Sequence, residues 1–113
     1  MLKSEAIGNL GRDAELRTLD NGKTVVTFRL AAETGYGDNA KTEWLDCVIR
    51  GPRGEAMVES LTKGTRLYIA GRSYLKTFTS RSGELKTVLT VEVQDLEFLG
   101  GGEARQDDAG GND

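Results

Sequence analysis

Apolar and polar residues alternate along two segments in the middle of the chain, with the period of two that is typical of a β-strand. In the segment 24–32 every second residue is apolar, and these residues are Val26, Phe28, Leu30 and Ala32. The segment 42–50 repeats the pattern with Leu45, Cys47 and Ile49. Because successive side chains of a strand point to opposite faces, the pattern predicts two strands that each turn an apolar face toward a core.

Three longer segments complete the predicted sheet. The first is Leu2–Thr18, which contains Gly11, where we expect a bulge or kink in the strand. The last two are Thr65–Phe78 and Leu85–Leu99, and the polar segment Ser80–Gly83 is expected to form the turn between them.

One helix and one tight turn are also predicted. Pro52 suits the first turn of a helix, because its missing N–H would be unpaired there, and we expect a helix over Pro52–Leu61 that ends at Lys63-Gly64. Its apolar residues at helical spacing are Ala56, Met57 and Leu61. Asn21-Gly22 predicts a two-residue hairpin turn, since both residues tolerate positive φ.

The order of these elements predicts the fold. Five strands with a single helix between the third and the fourth have the order of the OB-fold, a five-stranded, partly open Greek-key barrel. We therefore expect an all-β protein with one such domain over residues 1–99. From residue 100 the chain is rich in glycine and acidic residues, a composition that cannot form a packed core, and it predicts a disordered acidic tail over residues 100–113.

Composition excludes several classes of protein. Among its 113 residues the chain has no histidine and one cysteine. It therefore lacks the commonest general base and the commonest nitrogen ligand of metals, and its cysteine has no partner for an internal disulfide. We expect no enzyme activity, no metal and no other cofactor. A hydrolase that brings carboxylates together in space is the alternative within the enzyme class.

Nothing in the sequence predicts a membrane partner. No segment approaches the ~18 consecutive apolar residues of a membrane span, and Met1–Glu5 leads into no apolar stretch like that of a signal peptide. The single cysteine fits a reducing compartment. We therefore expect a cytoplasmic protein.

The fourth predicted strand alternates cations and aromatic rings on one face. The residues of that face are Arg72, Tyr74, Lys76 and Phe78. The opposite face, which we expect to meet the core, carries Leu67, Ile69, Gly71 and Leu75. Rings beside cations favour a surface for single-stranded nucleic acid, because rings stack on bases while cations neutralise phosphates. The alternative is ordinary cross-strand packing of the two rings among solvated cations.

Trp44 extends this candidate surface. It lies on the face of its strand opposite the apolar residues, so the only tryptophan is predicted to point outward. A protein interface or a small satellite core would explain it equally well. The other candidates on the same surface are Arg29, Arg50, Tyr36 and Lys86. Stacking tolerates any base, so we expect binding of single strands with little sequence selectivity.

Several motifs resemble those of bacterial single-stranded DNA-binding proteins. They are IGNLGRD at 7–13, TEW at 42–44 and LYIAGR at 67–72, and the resemblance extends over residues 2–99. It implies an OB-fold, usually assembled as a homotetramer, that wraps single-stranded DNA in replication, recombination and repair. It also implies that the main stacking aromatics are Tyr36, Trp44 and Phe78.

Four positions bear on how closely the chain follows the family's pattern. Arg50 stands where the family usually has a stacking phenylalanine, although a guanidinium can also stack on a base. Asp46 stands at a position that is often basic, and we expect it to repel phosphate. Tyr74 replaces one member of a basic pair, of which Lys76 keeps the other.

The net charge of −3 argues against nucleic acid, because domains that bind it usually carry a basic excess. The acidity is local, however. Residues 103–113 hold four acidic residues and one arginine, so residues 1–102 are neutral. We expect this acidic segment to compete with DNA for the cationic surface. In the family the tail ends in a hydrophobic terminus that recruits replication and repair proteins; here Asp107 and Asp108 precede Gly-Gly-Asn-Asp, so recruitment by charge and a solubilising tether are both open.

The sequence thus predicts a non-enzymatic, homo-oligomeric protein that binds and protects single-stranded DNA. The alternative is an OB-fold accessory or assembly protein of the primosome type, which binds mainly another protein and binds DNA only weakly. Asp46 and Arg50 are the features that favour this alternative.

Overall fold

The computed structural model describes residues 1–101; residues 102–113, with most of the predicted acidic tail, lie outside the described residues. Six strands occur within residues 1–101, and a short helix, α1, joins the fourth to the fifth. The strands are β1 Lys3–Leu10, β2 Glu15–Thr18, β3 Thr24–Thr34, β4 Lys41–Arg50, β5 Thr65–Thr79 and β6 Leu85–Gly101. Helix α1 is Pro52–Met57, and 3-10 turns occupy Gly37–Asn39 and Val58–Ser60.

The sheet closes into a barrel because β1 pairs with two strands. The hydrogen-bonded order is β1-β5-β6-β4-β3-β2, and β1 pairs with β3 as well. In the described chain β4 and β6 run parallel, and the other neighbouring strands run antiparallel. Strands β1 and β2 are the two halves of the predicted first strand, interrupted near Gly11. With these counted as one, the five-stranded OB-fold barrel with its helix between the third and fourth strands is confirmed.

The barrel core consists of the apolar faces that the alternation predicts. Strands β3 and β4 contribute Val26, Phe28, Leu30, Ala32, Leu45, Cys47 and Ile49 to this core. Strands β5 and β6 add Leu67, Ile69, Val91 and Val93. Burial raises the pKa of the Cys47 thiol to about 12, so this thiol is neutral and enclosed.

The predicted helix is shorter than expected, although Met57 and Leu61 pack on the core as the spacing predicts. It ends at Met57 instead of Leu61, and Ala56 is exposed. The buried residue is Gly54, where an added Cβ would lie 2.9 Å from the carbonyl oxygen of Ile49. The helix lies so close to β4 that only a glycine fits at this contact.

The turn at Asn21-Gly22 has three residues rather than the predicted two. The N–H of Leu19 donates to the carbonyl of Lys23, and the N–H of Gly22 donates to the carbonyl of Leu19. Only Gly22 has positive φ, at 85°. The loop is therefore a turn followed by a glycine bulge, which is the usual form of a three-residue hairpin.

The ends of β5 and β6 project beyond the barrel as a two-stranded arm, residues 74–88. Pairing of β1 with β5 stops at Arg72, and pairing of β4 with β6 begins at Leu89. Among the described residues no third strand pairs with either edge of the arm, which extends past the barrel core. Leu75, which we expected in the core, is consequently 68% exposed.

Candidate nucleic-acid interface

Four neighbouring strands bring most of the predicted site residues to one outer face of the barrel. The register aligns one residue of each strand in a row, consisting of Arg29, Asp46, Thr90 and Tyr74. Two residues further along each strand, a second row consists of Thr27, Val48, Glu92 and Arg72. A groove of about 520 Å³ is lined by the first row, by Thr27 and Val48 of the second, and by residues of segment 12–19 that include Arg12 and Arg17. We call the surface formed by these two rows, with Trp44, Arg50 and Lys76, the outer face.

A bulge in β6, with Gln94 as its extra residue, lies opposite Gly71 of β5, whose own alternation continues without a break. The register between β5 and β6 shifts between Ala70 and Gly71. A Cβ on Gly71 would lie 1.9 Å from the carbonyl oxygen of Glu92, so a residue with a side chain cannot occupy this position without moving the backbone. Arg72 is exposed and Ser73 is buried, so the cations and rings in the remainder of β5 point outward as predicted.

Trp44 is held against the outer face by two other segments. Its ring edge meets Gly11, where an added Cβ would lie 2.7 Å from Cζ3 of the indole. The Arg29 guanidinium lies over the ring, 5.2 Å from its centroid, which is a cation–π distance. Arg29 also forms an ion pair with Asp46, with Nε 3.2 Å from Oδ1. The indole remains 43% exposed, so it points outward as predicted and is fixed in place.

Two predicted arginines share one carboxylate. Arg50 Nη2 donates to Glu92 Oε2 at 3.1 Å, and Arg72 Nη2 donates to Glu92 Oε1 at 3.1 Å. The hydrogen bond from Arg50 and the charges of both arginines hold the pKa of the Glu92 carboxyl below its usual 4.5, against the opposing effect of desolvation. Each guanidinium remains more than half exposed.

The arm extends the outer face with rings and lysines. Tyr74 and Phe78 are exposed, and Lys76 lies between them on the same strand face. Phe78 is directly opposite Lys86 in the register of β5 and β6. Phe78 and Lys86 are eight positions apart in the sequence, and the hairpin of β5 and β6 brings them next to each other.

Tyr36 stands apart from the strands. It immediately precedes the 3-10 turn Gly37–Asn39 in the connection between β3 and β4, and it is 92% exposed. The structure places it at the end of these strands nearer Trp44, since Trp44 pairs with Ala31 close to the connection.

Glu92 and Thr90 of the outer face were not among the predicted site residues. Glu92 pairs with both arginines, and Thr90 lies in the row between Asp46 and Tyr74. The Thr90 side chain is 3% exposed, and its hydroxyl has no hydrogen-bond partner within residues 1–101. The period of two in the last strand could have predicted both residues, because they alternate with the buried Val91 and Val93.

The described residues contain no cluster of three or more His, Cys, Asp and Glu side chains that could hold a metal ion. Among the same residues, no helix has the length and apolar character needed to cross a membrane.

The arrangement defines a class of protein: an OB-fold barrel with exposed rings and arginines on one outer face. The model of the "Single-strand binding protein family" matches residues 1–99. The chain belongs to this family. The resemblance noted in the sequence is thereby confirmed.

Relatives and solved structures agree with this assignment. The single-stranded DNA-binding protein of Mycobacterium leprae is 37% identical over 97 residues, which cover 80% of this chain and 58% of the relative. That of Chlamydia trachomatis is 33% identical and covers 100% of this chain and 71% of the relative. The chain thus spans less than two thirds of the mycobacterial relative.

Two solved structures share the fold. One is a Plasmodium falciparum SSB in complex with ssDNA, with a TM-score of 0.72 and 25% identity, covering 88% of this chain and 96% of that one. The other is a small single-stranded DNA-binding protein from Streptomyces coelicolor, with a TM-score of 0.74 and 24% identity, covering 86% of this chain and 93% of that one.

Proposed function

We propose that this protein binds single-stranded DNA with little sequence selectivity and protects it during replication, recombination and repair, without enzyme activity. The observation that carries the proposal is the outer face, where exposed rings and arginines occupy adjacent strands of one sheet. Membership of the single-strand binding protein family supports it, as does the ssDNA bound by the Plasmodium falciparum relative. The proposed DNA-binding residues are Trp44, Phe78, Tyr36, Arg72, Tyr74, Lys76, Arg29, Arg50 and Lys86.

The magnitudes are sufficient for a binding protein. Stacking contributes about 1–3 kcal/mol per base, so three rings such as Trp44, Tyr74 and Phe78 contribute about 3–9 kcal/mol. A micromolar affinity requires about 8 kcal/mol. Phosphate contacts add a contribution that falls as salt rises.

The proposal also covers the domains, the cellular compartment and the oligomeric state. Residues 1–99 would form the DNA-binding domain and residues 100–113 an acidic tail, whose first two residues, Gly100 and Gly101, still pair with β5. We also propose that the protein is cytoplasmic, as its cysteine usage indicates, and that it is a homo-oligomer, which by the family resemblance is a tetramer. These statements rest on the sequence and the family, and light scattering on the full chain tests the oligomer.

Titration with oligo-dT tests the binding itself. Trp44 is the only tryptophan and lies half-exposed on the outer face, so its fluorescence should be quenched when bases stack on it. The affinity should fall as salt rises, since phosphate contacts release counter-ions. An unquenched signal together with no gel shift at low salt would contradict the proposal.

A second candidate is an OB-fold accessory or assembly protein that binds mainly another protein. The ion pairs of Asp46 and Glu92 favour it, because they neutralise arginines that DNA would otherwise use. Co-purification with one stable partner, combined with weak oligo-dT binding, would select this candidate.

A further inference from the structure

The arginines of the outer face are partly neutralised by carboxylates from the same face. Arg29 pairs with Asp46, and Arg50 and Arg72 both pair with Glu92. An arginine is charged at any ordinary pH, so its contribution to phosphate binding depends on what already lies beside it. With Glu92 present, the pair of arginines offers one net positive charge instead of two.

We propose that Glu92 sets the affinity for single-stranded DNA by competing with phosphate for Arg50 and Arg72; this inference rests on the proposed function. Glu92 lies on β6 between the two arginine-bearing strands, in register with Arg72 on one side and Val48 on the other. Its two carboxylate oxygens are divided, one to each arginine. One side chain therefore controls both cations.

The competition is partial, because the arginines keep donors for DNA. A guanidinium has five N–H donors, and Glu92 accepts one from each arginine. Both arginines are 57% exposed, whereas Glu92 is 23% exposed. A phosphate that reaches the exposed donors comes close to the carboxylate, which repels it whether or not the ion pairs break. Glu92 therefore weakens binding without abolishing it.

The geometry distinguishes Glu92 from the other acidic residues of its strand. Glu97 lies on β6 in register with Tyr68, in the part of the sheet where β5 pairs with β1. No ion pair joins Glu97 to an arginine or lysine within residues 1–101. Replacing Glu97 by glutamine changes the net charge equally and leaves the cations of the outer face unchanged.

The test compares Glu92→Gln with Glu97→Gln in the full chain, by the fluorescence anisotropy of labelled oligo-dT over a range of salt. We expect Glu92→Gln to bind about threefold to tenfold more tightly at low salt. The slope of log K against log salt should become steeper by about 0.7, the value for one additional phosphate contact on a single strand. Glu97→Gln should match the unmodified chain.

A second background makes the test specific for the arginines. With Arg72→Gln already present, Glu92→Gln frees one cation fewer, so its gain in affinity should be smaller. Glu92→Ser removes the same charge and provides an independent variant if the glutamine protein is unstable. Melting temperatures of all variants show which are folded.

Each outcome decides the inference. Unchanged binding by folded Glu92→Gln and Glu92→Ser would overturn the inference, and weaker binding would overturn it by showing that Glu92 positions the arginines for DNA. An equal gain from Glu97→Gln, or an undiminished gain in the Arg72→Gln background, would attribute the effect to net charge and also overturn the inference. If the unmodified chain and both Glu92 variants fail to bind oligo-dT, the proposed function itself is wrong.

Discussion

The indole of Trp44 owes its position to segments that are distant from it in the sequence. Gly11, at the break between β1 and β2, allows the ring edge to approach, and Arg29 on β3 lies over the ring. A ring that is already fixed loses little conformational entropy when a base stacks on it. The exposed surface of the indole is therefore a prepared stacking platform with a cation beside it.

This difference in fixation predicts the order of the aromatic contributions. Trp44 and Phe78 lie on hydrogen-bonded strands, whereas Tyr36 lies in a connection and is almost fully exposed. Trp44→Ala and Phe78→Ala should each weaken oligo-dT binding by about 1–3 kcal/mol, and Tyr36→Ala by less. Anisotropy of labelled oligo-dT measures all three, and equal, negligible effects would place the site elsewhere.

The Thr90 hydroxyl predicts a stabilising substitution. It is buried without a partner among residues 1–101, and an unpaired buried hydroxyl costs about 1–3 kcal/mol. Thr90→Val should therefore raise the free energy of unfolding by about 1 kcal/mol, measured by urea denaturation. Thr87→Val is the control, because the Thr87 hydroxyl is exposed and bonds that of Thr77, and it should bring no gain. A loss of stability in Thr90→Val would contradict the prediction.

Among the strands, β5 shows how one element serves two environments. Its first half lies between β1 and β6 and contributes core residues, and its second half belongs to the arm. The period of two continues past Ser73, but burial does not, because from there β5 extends beyond β1 and beyond the barrel core. Leu75 is exposed for this reason.

The bulge of β6 predicts a strict requirement for glycine at the opposite position, Gly71 of β5. At Gly71 an added Cβ would meet the backbone carbonyl of Glu92, and neither strand can shift without disturbing the barrel. Gly71→Ala should lower the free energy of unfolding by about 3 kcal/mol. Gly22→Ala is the control: it has open space but positive φ, and should cost about 1 kcal/mol. Urea denaturation of both compares them, and equal losses would show that the bulge accommodates a side chain.

In the molecule as a whole, the distribution of net charge provides little long-range attraction to DNA. Residues 1–102 are neutral, and residues 103–113 carry the net charge of −3. A neutral body offers little electrostatic steering, so binding depends on short-range stacking and on the arginines of the outer face.

Deletion of residues 103–113 tests the role proposed for the acidic segment. If this segment competes with DNA for the outer face, its removal should tighten oligo-dT binding at low salt, and the difference should vanish at high salt because such attraction is screened. A full-length chain in which the four acidic residues of this segment are replaced by glutamine or asparagine is the control, because it removes the charge and keeps the length. Unchanged affinity in both variants would show that the segment does not reach the site.

The alternation of apolar residues was sufficient to predict the core faces of β3 and β4, since the strand period alone assigns their residues to opposite faces. The glycine at the first kink, the single helix and the order of elements were sufficient for the barrel. The outward position of Trp44 followed from the same alternation. The core faces, the order of elements and the outward position of Trp44 all follow from the preferences of short segments of the chain.

Contacts between strands were decided only by the tertiary structure. Which carboxylate holds Arg50 and Arg72 depends on the register of three strands, and the sequence does not encode that register locally. The exposure of Leu75 and the burial of the Thr90 hydroxyl depend on where neighbouring strands end. The sequence alone therefore determined the barrel and the outward residues of the site. The structure determined how far those residues are already engaged with one another, because that depends on distances between segments that only folding brings together.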